Sequence, residues 1–122
     1  MKEFREYLRG AQLLDLNEMT PQYYPRETGL KEIIWVSAKN ASHGPRIKVY
    51  EYSKGPNFSV TIEDEPRVVA GKCFVNAKEL RKIFDFIIKH KDDLIGYWNS
   101  ELTEDELDNV LILKKGDIKW KT

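Results

Sequence analysis

"RIKVYEYSKGPNFSVTIE", residues 46–63, holds the pattern on which the fold turns. Over 46–52, Ile47 and Val49 alternate with Arg46, Lys48, Tyr50 and Tyr52. Over 57–63, Phe58, Val60 and Ile62 alternate with Ser59, Thr61 and Glu63. Alternation of this kind sends successive side chains to opposite faces of an extended chain. "SKGPN" between the two runs brings Gly and Pro to a turn. The expectation is a β-hairpin with one dry face and one wet face, the wet one carrying Arg46, Lys48, Tyr50 and Tyr52.

The neighbouring segments extend this sheet. "KEIIWVSA" (31–38) is β-branched and aromatic, with the continuous apolar run of a central strand. "RVVAG" and "CFV", within 67–75, offer a last edge strand or a second small hairpin. Ahead of the sheet, Phe4, Tyr7, Leu8 and Ala11 recur at helical spacing and predict a short amphipathic helix. "NEMTPQYYPRETG" (17–29) reads as a connecting loop in which Tyr23 and Tyr24 cover the core, the alternative being an exposed contact surface.

Beyond the sheet the period becomes helical. Asn76 with Glu79 has the form of a capping box, and Val75 with Leu80 that of a hydrophobic staple. Leu80, Ile83, Phe84, Ile87, Leu94, Ile95 and Trp98 then predict one apolar stripe, loosened at Lys91 by the "KHKDD" run. Thr103 with Glu106 starts a second helix carrying Leu107, Val110 and Leu111, which Gly116 stops. Residues 117–121 form a tail or a final edge strand. The class expected is α+β in a single domain over 1–122: an antiparallel three- to four-stranded sheet with an N-terminal helix and two C-terminal helices on one face.

Composition narrows the functional classes. Twenty basic residues balance twenty acidic ones, so global basicity gives no argument for nucleic acid. The middle is mildly basic, with ten Lys/Arg against six Asp/Glu over 29–82. A single cysteine, Cys73, forms no internal disulfide and points to a reducing cytoplasm. The charged start "MKEFREYLRG" has no run of signal-peptide length, and no window approaches a membrane span.

Candidate chemistry centres on the strand entry. His43, in a Gly-Pro loop beside Arg46 and Lys48, has the makings of a general base near phosphate, or of a turn residue bonding its own loop. His43 and His90 lie far apart with no Cys-x-x-Cys spacing, so no metal is expected. No phosphate-loop motif occurs, so no nucleotide cofactor is expected. His90 reads as solvated, Cys73 as a structural thiol, and "EDEP" (63–66) as a polar turn.

"SHGPRIKVY" followed by "DDLIGYW" resembles a family of small bacterial proteins classed as a domain of unknown function. In that family a His-Pro-Pro-His-Phe-His-Val motif opens a strand, and a helix ends near Leu-x-x-x-Trp. His43, Pro45 and Val49 match the motif, while Ile47 and Lys48 stand where it has Phe-His. The resemblance spans residues 33–99. It implies the α+β layout and a bacterial or phage origin, and it assigns no chemistry.

The function expected is that of a non-enzymatic module binding another macromolecule, a protein first of all. His43, Arg46, Lys48, Tyr50, Tyr52 and Lys54 form the contact surface, because Arg and Tyr dominate interface hot spots. The alternative is an RNA- or single-stranded-DNA-directed protein, or a metal-independent nuclease, using the basic 39–54 region. A homodimer through a strand edge or the last helix is compatible with the sequence.

Overall fold

The computed structural model describes residues 21–37 and 43–113. The predicted helix over 4–11 and the tail strand over 117–121 lie outside those residues, as does Lys39 of the basic region.

The described chain runs β1 (Gln22–Tyr23), α1 (Pro25–Thr28), β2 (Ile33–Val36), β3 (Arg46–Tyr50), β4 (Asn57–Thr61), β5 (Val68–Gly71), α2 (Ala77–Trp98) and α3 (Glu104–Leu111). The strands form one antiparallel meander in the order β1-β2-β3-β4-β5. The class is α+β with five strands, where the sequence suggests three or four. The hairpin forms as expected: Ile47 faces Val60 and Val49 faces Phe58. Ile34 and Val36 of β2 pair with Val49 and Ile47. All six are fully buried on one face of the sheet.

The extra strand, β1, comes from the segment read as a loop. Pro21 and Pro25 bracket it and hold it to two residues, too few for alternation to be visible. Tyr23 goes inward and is buried, whereas Tyr24 stays exposed. Pro25 then opens α1, and Gly29 closes it at φ 87°, with its N–H on the Pro25 carbonyl at 2.8 Å. At the other edge β5 pairs with β4 through an irregularity at Ser59/Val60. "EDEP" is the polar turn between them, with Arg67 Nε donating to Glu63 Oε2 at 2.9 Å.

α2 is a single helix of 22 residues, unbroken at Lys91. Its buried side is Glu79, Ile83, Phe86, Ile87, Leu94 and Gly96. At 100° per residue this side is turned by roughly 60° from the predicted stripe. Phe86, outside the predicted stripe, is buried, while Leu80, Phe84 and Ile95 of that stripe pack partly buried against the same core. Ile83, Phe86, Ile87 and Leu94 join the inward sheet residues in one apolar cluster. α3 adds Leu107 and Leu111 to it, and Val110 is exposed. The capping box predicted for α3 is present: Glu106 N–H donates to Thr103 Oγ1 at 3.1 Å, and Thr103 N–H to Glu106 Oε1 at 2.8 Å.

α3 is fastened to the β1 edge as well as to the core. Tyr23 donates its hydroxyl to Asp108 Oδ1 at 2.6 Å, and Leu113 N–H donates to the Glu27 carbonyl at 2.7 Å. Burial raises the Tyr23 hydroxyl pKa, and the bond to Asp108 adds to the shift.

The turned stripe has a direct test. Phe86→Ala should lower unfolding stability by about 3–5 kcal/mol, the cost of truncating a buried aromatic. Phe84→Ala should cost about half that or less, since Phe84 is only partly buried. Urea titrations of the two variants measure the contrast, and equal losses would contradict this placement of the helix.

Candidate functional site

Two places in the fold concentrate functional groups. One is the strip along β3 that the sequence singles out. The other, at the start of α2, has no motif.

Along β3 the six predicted residues are strung out rather than gathered. His43 lies before the strand, its ring stacked on Trp98 with centroids 6.4 Å apart. Its Nδ1 sits 2.7 Å from the Gly44 carbonyl oxygen, which makes that nitrogen the donor. Arg46 and Lys48 follow on the outer face, both half-buried. Tyr50 is on the same face but is buried, contrary to the wet face expected, and its ring meets Trp35 of β2 at 5.0 Å. Ile33 and Ser59, also outward, are buried as well. Tyr52 lies past the strand end, in the turn, where it is 59% exposed. Lys54 follows in the left-handed region at φ 61°.

The strip therefore runs the length of β3, roughly 16 Å at the usual strand rise. Trp35 belongs to it, because register sets Trp35 opposite Lys48. Sequence reading assigned Trp35 to a core strand run. The signal available was parity: Trp35 is one residue out of phase with Ile34 and Val36.

The second place involves Glu32, just before β2, and Glu79, in the first turn of α2. Asn76 caps that helix, accepting from Glu79 N–H at 2.8 Å. The Glu79 carboxyl pairs with Glu32 instead of completing the expected capping box. Glu32 is 5% and Glu79 8% exposed, and Glu32 Oε1 and Glu79 Oε2 have no described hydrogen-bond donor. Burial, with the hydrogen bond and charge of the neighbouring Glu79 carboxyl adding to it, pushes the Glu32 carboxyl up to about 7. The Glu32 carboxyl therefore holds its proton well above the range of an exposed carboxylate. Around it Lys31, Phe74, Val75, Asn76, Lys78 and Lys82 line a pocket of about 300 Å³.

The remaining candidates take structural positions. Cys73 is half-buried, with its thiol 3.6 Å from the Val75 carbonyl. His90, expected in solvent, is half-buried edge-on to Phe86 at 4.8 Å. Burial holds it below the usual histidine range, with the charge of Lys89 adding to the effect. Among the described residues, no three His, Cys, Asp or Glu side chains are grouped to hold a metal ion. No described helix is long and apolar enough to cross a membrane.

Set against known proteins, the chain matches no family model, no curated protein and no solved structure.

The carboxyl pair makes stability depend on pH with a definite sign. The unfolded chain loses the Glu32 proton near its ordinary pKa of 4.5, whereas the folded protein keeps it to about 7. Stability should therefore fall as pH rises through that window and level off above it. Glu32→Gln removes one ionisation and keeps a donor toward Glu79. It should flatten the decline and raise stability at pH 8 by about 2 kcal/mol. Denaturant titrations at pH 5 and pH 8 compare the two proteins, and parallel declines would refute the pairing.

Proposed function

We propose that this protein is a non-enzymatic binding module that contacts a protein partner along β3 and the turn after it. The observation carrying this reading is the composition of the strip. A Trp35–Tyr50 aromatic pair lies beside Lys48 and Arg46, and the exposed Tyr52 stands at its end. Trp, Tyr and Arg supply most hot-spot energy because they bring large contact areas with few rotatable bonds. Tyr50 is an anchored platform for neighbouring contacts, and Tyr52 and Lys54 are the projecting groups. Arg and Tyr in alternation along one strand, beside an aromatic pair, suit a protein partner, for which such residues act as anchors. His43 serves to seat the strand entry on Trp98.

A photo-reactive residue placed at position 52 captures the partner for identification, and the purified pair is then titrated. Arg46→Ala and Tyr52→Ala should each weaken binding by about thirtyfold, the signature of a hot spot, without changing the melting temperature. Val110→Ala, on the exposed side of α3, should leave affinity unchanged. Equal affinity in all three variants would defeat the proposal. Capture of RNA instead, with affinity falling steeply as salt rises, would replace it with the nucleic-acid reading.

A further inference from the structure

The strands β1 to β5 hold two charged residues, Arg46 and Lys48, both on β3 and both on the face turned away from the helices. Charged side chains commonly guard a sheet edge against unwanted pairing, but β3 is the middle strand of the five and needs no such guard. Register sets Trp35 and Ser59 on either side of Lys48, and Thr61 beside Arg46, so the neighbouring strands offer no carboxylate. Glu63, just past β4, is held by Arg67 Nε at 2.9 Å and by the Thr61 hydroxyl. Among the described residues, neither Arg46 nor Lys48 enters an ion pair. Two half-buried cations therefore stand side by side, partly stripped of water, and the fold supplies no charge to balance them.

We propose that the protein partner presents an extended acidic segment to this face, two of its carboxylates pairing with Arg46 and Lys48 and an apolar side chain meeting the Trp35–Tyr50 pair. The pairing rests on the contact strip proposed above and adds the chemistry of what the strip binds. Spacing supplies the pattern. Positions 46, 48 and 50 repeat at roughly 6.6 Å along the strand, two residues at the usual rise. An extended partner chain has the same repeat, so its two acidic residues and its apolar residue fall at alternate positions. Arg46 takes one carboxylate through two parallel N–H donors, and Lys48 takes the other as a point charge.

A single-stranded nucleic acid also repeats its negative charge, but such strands are held by bases stacked on open aromatic rings. Tyr50 is 8% exposed, and its ring is already engaged with Trp35. Contact with the edge of that pair suits a small apolar side chain better than a base. The acidic segment is therefore part of a protein.

NMR titration of the full chain tests this with the peptide Ser-Leu-Ser-Asp-Ser-Glu-Ser-Leu-Ser, whose leucines serve either chain direction. The probes beside it are a copy with Asn and Gln for the acids, a copy with Ala for both leucines, and a short oligothymidylate. At low salt the acidic peptide should bind in the millimolar range or tighter, with shifts at positions 35, 46, 48 and 50. The amide copy should bind about tenfold more weakly and the alanine copy about threefold more weakly. Raising the salt concentration about tenfold should weaken the acidic peptide and leave the amide copy unaltered. Arg46→Glu with Lys48→Glu should lose the acidic peptide and gain a copy with Lys in place of both acids, a reversal that an unfolded variant cannot give. Equal affinity for the acidic peptide and its amide copy overturns the proposal. So does the absence of saturable binding by any peptide, a set of shifts away from β2 and β3, or tighter binding of the oligothymidylate. Photo-capture through position 52 is scored separately: a captured partner that contacts the strip with no preference for acid ends this inference and leaves the contact surface standing.

Discussion

Every inward position of β2, β3 and β4 is filled by a branched or aromatic side chain with no exposed surface, and this apolar sheet dictates how α2 lies. A helix on such a surface is fixed by the packing that removes most apolar area from water. Ile83, Phe86, Ile87 and Leu94 meet that demand together, and the choice draws Glu79 and His90 toward the protein interior. The carboxyl pair and the half-buried histidine thus follow from one orientation. Fully burying a Phe is worth about 1.5–3 kcal/mol, which helps offset what it costs to desolvate a carboxyl that keeps its proton.

This orientation also marks where sequence reading reached its limit. The hairpin was legible because Ile47, Val49, Phe58 and Val60 alternate without interruption and the turn contains Gly and Pro. The caps were legible because Asn76 and Thr103 stand three residues before a glutamate. The rotation of α2 was not legible. Apolar residues occur on both sides of the buried arc, with Leu80, Phe84 and Ile95 on one and Phe86 on the other. Counting apolar positions favours the first set; in the fold that set packs partly buried against the core, and Phe86 is buried within it. Glu79 was hidden for a related reason: its position in a capping box already explained it. The two-residue strand β1 is below the length at which any period exists, and only its pairing with Ile34 and Trp35 defines it.

The candidate contact strip was readable residue by residue, but its state was not. Alternation assigns Tyr50 to the outer face and says nothing of whether that face is dry. Tyr50 is buried because its ring lies on Trp35, a contact set by the register between strands and not by spacing within one. In the same way Tyr52, nominally in phase with Tyr50, leaves the sheet because the turn begins at Glu51, whose N–H reaches the Pro56 carbonyl at 3.0 Å. The Gly55 N–H then closes on the Tyr52 carbonyl at 2.8 Å, and a Cβ at Gly55 would collide with the Tyr52 ring. The ring is thus held over the turn, exposed yet partly ordered, which lowers the entropy lost when a partner covers it.

β2 is the element on which both candidate sites rest. Within a few residues it sends Ile34 and Val36 to the core and Trp35 to the outer strip, while Glu32 precedes it at the carboxyl pair. A slip of one residue against β3 would reverse all of these, setting Trp35 inside and Ile34 outside. That slip is opposed on both sides. Toward β1, Val36 N–H donates to the Pro21 carbonyl at 3.1 Å. Toward β3, Ser37 Oγ donates to the Arg46 carbonyl at 2.7 Å and accepts from Arg46 N–H at 3.1 Å. This side-chain clamp lies just beyond the end of β2, where the regular ladder stops. Register is therefore fixed by packing within the strand and by paired polar contacts at its exit. The aromatic platform and the buried carboxyl keep their places for the same reason that the core does.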